Sequence, residues 1–421
     1  MLVEFRSRNF RSLRDEQRLS LVASKDKGLQ DTNTILSEID AVPRLIRSAA
    51  VYGHNAGGKS NLIKAIQYMR AVVADSAAVM TPGQDFGVQP FRLDAHSHEQ
   101  PTAFEATFII EGVRYQYSFA LTSQRIISEA LLVYKAFKPQ QWFVRYYDPQ
   151  SDADHYDFSP SFKGQKNLWE KATRPNSLFL SMAVQLNNEQ LRPVFDYFVN
   201  QLVIFNDSAQ LNPFISINML QDPQDKTSIC SFMTTSDISI TDISVVKQKI
   251  MSKAVRIDHS AGKTEVHDTE QEINQLQFHH TTEKGTVIFG LDDESQGTKR
   301  LFFLAGPIRK ALQQGLTVVI DELDNSLHPL LVRRLVELFH SPSFNPKGAQ
   351  LIFTTHDTSL LDPALFRRDQ IWFIEKDKEQ ASKLYPLSDF SPRKNEAFEK
   401  GYLIGRYGAI PFFDEWGEVE E

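Results

Sequence analysis

Gly53-His54-Asn55-Ala56-Gly57-Gly58-Lys59-Ser60 is the stretch whose reading decides the fold. It follows an apolar run, Ser48 to Tyr52, that reads as a short buried strand. It precedes Asn61 to Ala74, where Leu62, Ile63, Ile66, Met69, Val72 and Val73 recur at helical spacing. Strand, glycine loop and helix form the arrangement in which backbone N–H groups surround a β-phosphate at a helix N-terminus. In that reading Gly53, His54, Asn55, Ala56, Gly57, Gly58 and Asn61 belong to the nucleotide-binding stretch. Lys59 reaches the β- and γ-phosphates, and the Ser60 hydroxyl binds Mg²⁺. The competing reading, a chance glycine turn, does not account for the strand before it and the amphipathic helix after it.

Three later segments carry the complementary chemistry. Thr317-Val318-Val319-Ile320 runs straight into Asp321-Glu322. Adjacent carboxylates at the end of a buried strand need compensation, which a cation or a reaction supplies. Asp321 is therefore expected to hold Mg²⁺ through water, and Glu322 to polarise an attacking water. Glu294-Ser295-Gln296-Gly297-Thr298 stands directly ahead of an apolar helical stretch, Leu301 to Leu312. Alone it would be ordinary capping by Ser295 or Thr298. Its order relative to the other motifs makes Ser295 and Gly297 candidates for contacting a γ-phosphate. Pro307 should kink that helix, for no evident functional reason. Thr354-Thr355-His356-Asp357 follows the strand Leu351-Ile352-Phe353, where His356 can hydrogen-bond a γ-phosphate and sense its loss. Asp324 completes the set.

The order of phosphate loop, Ser-x-Gly, paired acids, aspartate and histidine resembles the ABC-type ATPases of the RecF, SMC and OLD group. The motif match covers roughly residues 1 to 75 and 285 to 375. More narrowly, Glu294 to Thr298, Asp321-Glu322-Leu323-Asp324 and Gly405-Arg406-Tyr407-Gly408-Ala409-Ile410-Pro411 look like the stand-alone ATPases paired with toxic nucleases in PARIS- and AbiL-type antiphage systems. The resemblance implies an α/β P-loop head with a mixed sheet. It also implies that Ser295 and Gly297 of one subunit close on ATP held by the phosphate loop of another, giving a dimer or higher homo-oligomer. Glu294 replaces the leucine usual in transporter ATPases. For the Mg²⁺-contacting glutamine of the family, Gln185 and Gln89 remain alternatives.

Around these motifs, Leu2 to Phe10 reads as a strand, and Thr102 to Leu121 as a hairpin turning at Glu111-Gly112. Ile126 to Asp148 extends a side antiparallel sheet, and Gln150 to Lys166 reads as a loop. From Leu168 to Gln201 the pattern is mainly helical, with Leu178 to Ala183 left open as a buried apolar segment. Residues 206–283 read as a helical or mixed insertion. The expected division is 1–167, 168–284 and 285–421. Strand and helix alternate thereafter over Leu316–Ile320, Pro329–His340, Gln350–Thr354 and Gln370–Glu375, as a parallel α/β sheet requires.

Composition bounds the function. The 421 residues carry 41% hydrophobic and 24% charged side chains, with no apolar run long enough to span a bilayer. No secretory signal opens the chain. Its single cysteine, Cys230, permits neither an internal disulfide nor a cysteine-based zinc site, and no nucleophile pattern surrounds it. These features lead us to expect a cytoplasmic protein without a membrane partner. A formal net charge of -7 confines any nucleic-acid contact to a local patch. The preferred expectation is a regulatory, Mg²⁺-dependent ATPase whose ATP-driven assembly controls a Toprim-like or RloB-like nuclease in antiphage defence, with a phage-encoded trigger. The alternative is a RecF- or SMC-like ATPase of DNA repair or tethering. Only about 65 residues follow His356, too few for a nuclease domain of the OLD kind.

Overall fold

A computed structural model describes residues 1–135, 138–205, 213–235, 239–258, 263–392 and 396–411. For 235, 248–258 and 263–274 it describes the backbone alone. The chain divides into two compact units. One comprises Met1–Ser208, Ala311–Asn325 and Pro329–Glu421; the other comprises Ala209–Lys310 and Ser326–His328. These divisions fall elsewhere than the expected boundaries at 167 and 284. The helical stretch up to 201 belongs with the first unit, and the Ser-x-Gly segment with the second.

The first unit is built on a six-stranded sheet in the order Leu202–Phe205, Thr317–Ile320, Gln350–Thr354, Ser48–Tyr52, Ile371–Lys376 and Ser382–Pro386. Every pairing is parallel except the last. Thr317–Ile320, Gln350–Thr354 and Ser48–Tyr52 are buried at every position, as central parallel strands covered on both faces must be. Their C-terminal ends deliver Gly53, Asp321 and Thr355 to one edge of the sheet, where ligands bind in open α/β folds. The loop helix Lys59–Asp75 buries Leu62, Ile63, Ile66, Met69, Val72 and Val73. Each large aliphatic side chain so buried stabilises the fold by about 1.5–3 kcal/mol.

Beside it lies a seven-stranded antiparallel sheet in the order Ala153–Phe158, Gln140–Asp148, Ile126–Tyr134, Val113–Leu121, Thr102–Ile110, Leu2–Arg8 and Gln17–Ser20. The hairpin turning at Glu111 and Gly112 is present, with Ile110 opposite Val113. The segment expected to be a loop, Gln150 to Lys166, instead contains the strand Ala153–Phe158, whose polar residues half-cover a sheet edge. Buried Gln350 joins the two sheets. Its amide nitrogen donates to Leu2 and Ile46 carbonyls at 3.0 and 3.3 Å, and its carbonyl accepts from Leu2 N at 2.6 Å.

The helical reading of Leu168 to Gln201 resolves into Lys166–Ala172, Phe179–Gln185, Arg192–Asp196 and a π-helical turn, Tyr197–Gln201. Leu178 to Ala183, left open by periodicity, is mostly helix. Buried Glu129 anchors that helix by accepting from Phe179 N at 2.7 Å and Leu180 N at 2.9 Å. Burial pushes the Glu129 carboxyl up, and Arg145 opposes the shift.

In the second unit, helices Phe214–Met219 and Pro223–Thr235 precede a long hairpin. Ile240–Asp258 and Lys263–Thr282 pair antiparallel from Ile240↔His280 to Asp258↔Lys263, and Gly285–Gly290 adds a third strand. This stretch holds both helices and strands and is dominated by a hairpin that its sequence did not announce. Residues 206–212, 236–238 and 259–262 of that stretch lie outside the described residues. The helix Gln296–Gln314 runs continuously through Pro307. The Ser216 hydroxyl donates to Phe302 O at 2.7 Å and accepts from Gly306 N at 3.0 Å. It thus bridges the rung next to the one that proline cannot make.

Candidate functional site

In the first unit the phosphate loop folds around its own lysine. Lys59 Nζ donates to Gly53 O at 2.7 Å and His54 O at 3.2 Å. Gly58, the residue before the helix, has φ of 118°, and a Cβ there would collide with the Ser382 hydroxyl. At Gly53 a Cβ would strike the Ile374 carbonyl oxygen. Glycine is thus required for the loop to sit this close to neighbouring strands. Asn55 and Ala56 are exposed at the tip, and His54 Nδ1 lies 2.6 Å from Asn55 O. Ser60 opens the helix beside Lys59.

Asp321 and Glu322 leave the strand Thr317–Ile320, two positions from the loop strand in the sheet, in different environments. Asp321 is buried and Glu322 exposed. Thr354 fixes both: its hydroxyl donates to Asp321 Oδ1 at 2.6 Å and accepts from Glu322 N at 2.7 Å. Glu322 has φ of 50°, a left-handed conformation uncommon outside glycine, asparagine and aspartate, and one that concentrates at functional turns. Asp324 Oδ2 accepts from His356 N at 3.1 Å. Its Oδ1 is buried with no partner among the described residues, so it is an acceptor to which a bound group can donate. Phosphate loop, both acids, Asp324 and His356 therefore fall in one unit.

Electrostatics agree with that grouping. Burial lowers the Lys59 ammonium to about 8 from 10.5, with Asp321, Glu322 and Asp324 pulling the other way. Desolvation, then the Lys59 charge, lowers His356, which keeps its imidazole neutral near pH 7. Phosphates favour the charged ammonium, so binding a nucleotide above pH 8 takes up a proton. The folded-state pKa lies below the ordinary value, so the burial cost is fully present below pH 8 and relieved as pH rises towards 10.5. ATP affinity is accordingly expected to fall by up to about tenfold per pH unit above 8. Calorimetric titrations at pH 8.5, in buffers of different ionisation enthalpy, measure the uptake; an unchanged proton count refutes the assignment.

Two residues that sequence reading missed brace the loop. Ser382 Oγ donates to Gly57 O and lies 2.8 Å from Ser12 Oγ, which accepts from Asn61 Nδ2 at 2.7 Å. Ser12 and Ser382 stand 370 positions apart, and no local signal links them. Asn61 therefore points its amide at Ser12. It lines a cavity of about 260 Å³ with Arg11, Ser12, Gln89 and Lys376 among others. Of the two glutamine alternatives, Gln89 lies in this cavity beside the loop helix, whereas Gln185 is exposed at the end of Phe179–Gln185.

In the second unit Ser295 is exposed and caps its helix. Its hydroxyl accepts from Thr298 N at 3.1 Å and lies 2.9 Å from Thr298 Oγ1. A Cβ on Gly297 would come within 2.8 Å of Ser326 O, so the segment tolerates no side chain there.

Whether these residues suit Mg²⁺ follows from their donors. No group of three or more His, Cys, Asp or Glu side chains able to hold a metal occurs among the described residues. Mg²⁺ is usually held by one or two protein oxygens together with phosphate oxygens. A serine hydroxyl at the loop helix and a buried carboxylate fit that pattern.

A glycine loop feeding a helix from a central strand of a mainly parallel sheet, with paired acids two strands away beyond Gln350–Thr354, defines a P-loop ATPase domain of the ABC head type. Family comparison agrees: residues 48–362 match the model described as "AAA domain, putative AbiEii toxin, Type IV TA system". The chain belongs to that family. No curated protein matches it. Among solved structures, the SMC head bound to the C-winged helix domain of ScpA is 11% identical, with a TM-score of 0.41. That alignment covers 91% of this chain and 97% of the other. No helix among the described residues is long and apolar enough to cross a membrane.

Proposed function

We propose that this chain is a regulatory, Mg²⁺-dependent ATPase whose ATP-bound heads assemble and thereby hold or release a toxic partner, most simply a nuclease, in antiphage defence. Lys59 and the loop amides grip the phosphates. Ser60 and Asp321 would hold Mg²⁺, which neutralises charge on the transferring phosphoryl group. Glu322 orients a water and accepts its proton as the bond from the γ-phosphorus to the bridging oxygen breaks, releasing ADP and phosphate. His356 and Asp324 line the γ-phosphate end.

The observation carrying the assembly is an exposed, unspent phosphate-binding element. Loop, acids and histidine belong to one unit, while Ser295, exposed at a capped helix start whose N–H groups suit an anion, belongs to the other. This supports a site closed by the Ser295 of a second copy. The family description names a putative toxin and a type IV toxin–antitoxin system, which supports a role in a toxin-bearing system; the toxic partner rests on the motif resemblance.

Ser295→Arg tests the reading. The variant is expected to bind ATP within about twofold of the parent, while ATP-dependent association disappears and turnover falls at least tenfold. An ATP-dependent dimer that persists by light scattering overturns the shared site.

A further inference from the structure

Glu294 is a charged residue where transporter ATPases carry leucine, and it is only 8% exposed. Its Oε1 lies 2.7 Å from His280 Nε2. His280 sits at the base of the long hairpin, opposite Ile240, with Ser239 Oγ 3.3 Å from its Nδ1 and the Phe289 ring 4.7 Å from its own. The two polar contacts are mutually consistent: Nδ1 accepts from the serine hydroxyl, and Nε2–H donates to the carboxylate. The next residue, Ser295, is exposed and caps the helix.

We propose that His280 is the positioning residue of the Ser295 segment, holding Glu294 buried so that the serine hydroxyl and helix start face outward. The inference rests on the shared-site reading above. A buried carboxylate that loses its donor is unfavourable and swings towards water, carrying the adjacent Ser295 with it. Because His280 belongs to the hairpin Ile240–Thr282, whatever displaces the base of that hairpin also displaces the segment. The hairpin is thereby a regulatory lever on ATP turnover.

Conservative variants separate this from a merely structural role. Glutamine can place an amide N–H near the position of Nε2, whereas asparagine mimics only Nδ1. His280→Gln is expected to keep kcat within about threefold of the parent, and His280→Asn to lower it at least tenfold, with labelled-ATP affinity unchanged in both. His280→Asn combined with Glu294→Leu removes the unpaired carboxylate and should return kcat to within threefold, which also controls for misfolding. Equal turnover by His280→Asn and parent overturns the proposal, as does failure of the double variant to recover. If Ser295→Arg silences turnover while His280→Asn does not, positioning alone fails. If neither affects turnover, the shared-site reading fails with it.

Discussion

Glu322→Gln should retain ATP while hydrolysing it about 10²–10⁴-fold more slowly, the range over which a positioned acid or base acts. The substitution is nearly isosteric and leaves the backbone bond from residue 322 N–H to the Thr354 hydroxyl available. It removes only the capacity to take a proton. Glutamine meets the same left-handed backbone at φ of 50° with no more strain than glutamate. Phosphate release and retention of labelled nucleotide, measured on one preparation, separate the two effects. Turnover within threefold of the parent would remove Glu322 as the catalytic carboxylate.

Lys59→Ala is expected to weaken ATP binding by about a hundredfold or more, since truncating one partner of a desolvated charge pair costs about 2–5 kcal/mol. Two effects combine: the cation facing the phosphates is lost, and the Gly53 and His54 carbonyls lose the donor that holds the loop. Unliganded stability should not fall in proportion, because burial already disfavours the Lys59 charge. In thermal denaturation, saturating ATP should raise the midpoint of the parent and leave that of the variant unmoved. An equal ATP-induced rise in both would refute the role.

Most of the site was legible because its chemistry is concentrated in short segments at strand ends. The apolar runs Ser48 to Tyr52, Thr317 to Ile320 and Gln350 to Thr354 could hardly be anything but buried parallel strands. The hairpin was illegible for the opposite reason. Lys247, Lys249, Lys253, Glu265, Asp268 and Glu270 lie along it and break its apolar alternation into short pieces such as Ile243-Ser244-Val245 and Leu276-Gln277-Phe278. Ala153–Phe158 was missed likewise, as a polar edge strand. Pro307 was seen, but its companion Ser216 lies 91 positions earlier, and only the folded chain brings that hydroxyl to the Gly306 rung. Ser12 and Ser382 escaped for the same reason: hydrogen bonds between distant polar residues leave no period.

The Thr354 hydroxyl has one proton, given to Asp321, and accepts from the Glu322 N–H. The neighbouring acids are therefore joined through a third side chain on a different strand. Their contributions are not separable variables: a change at either alters the anchor of the other, and losses measured singly will not sum to the loss of both. Thr354 is therefore part of the acid pair's geometry, although threonine itself performs no chemistry.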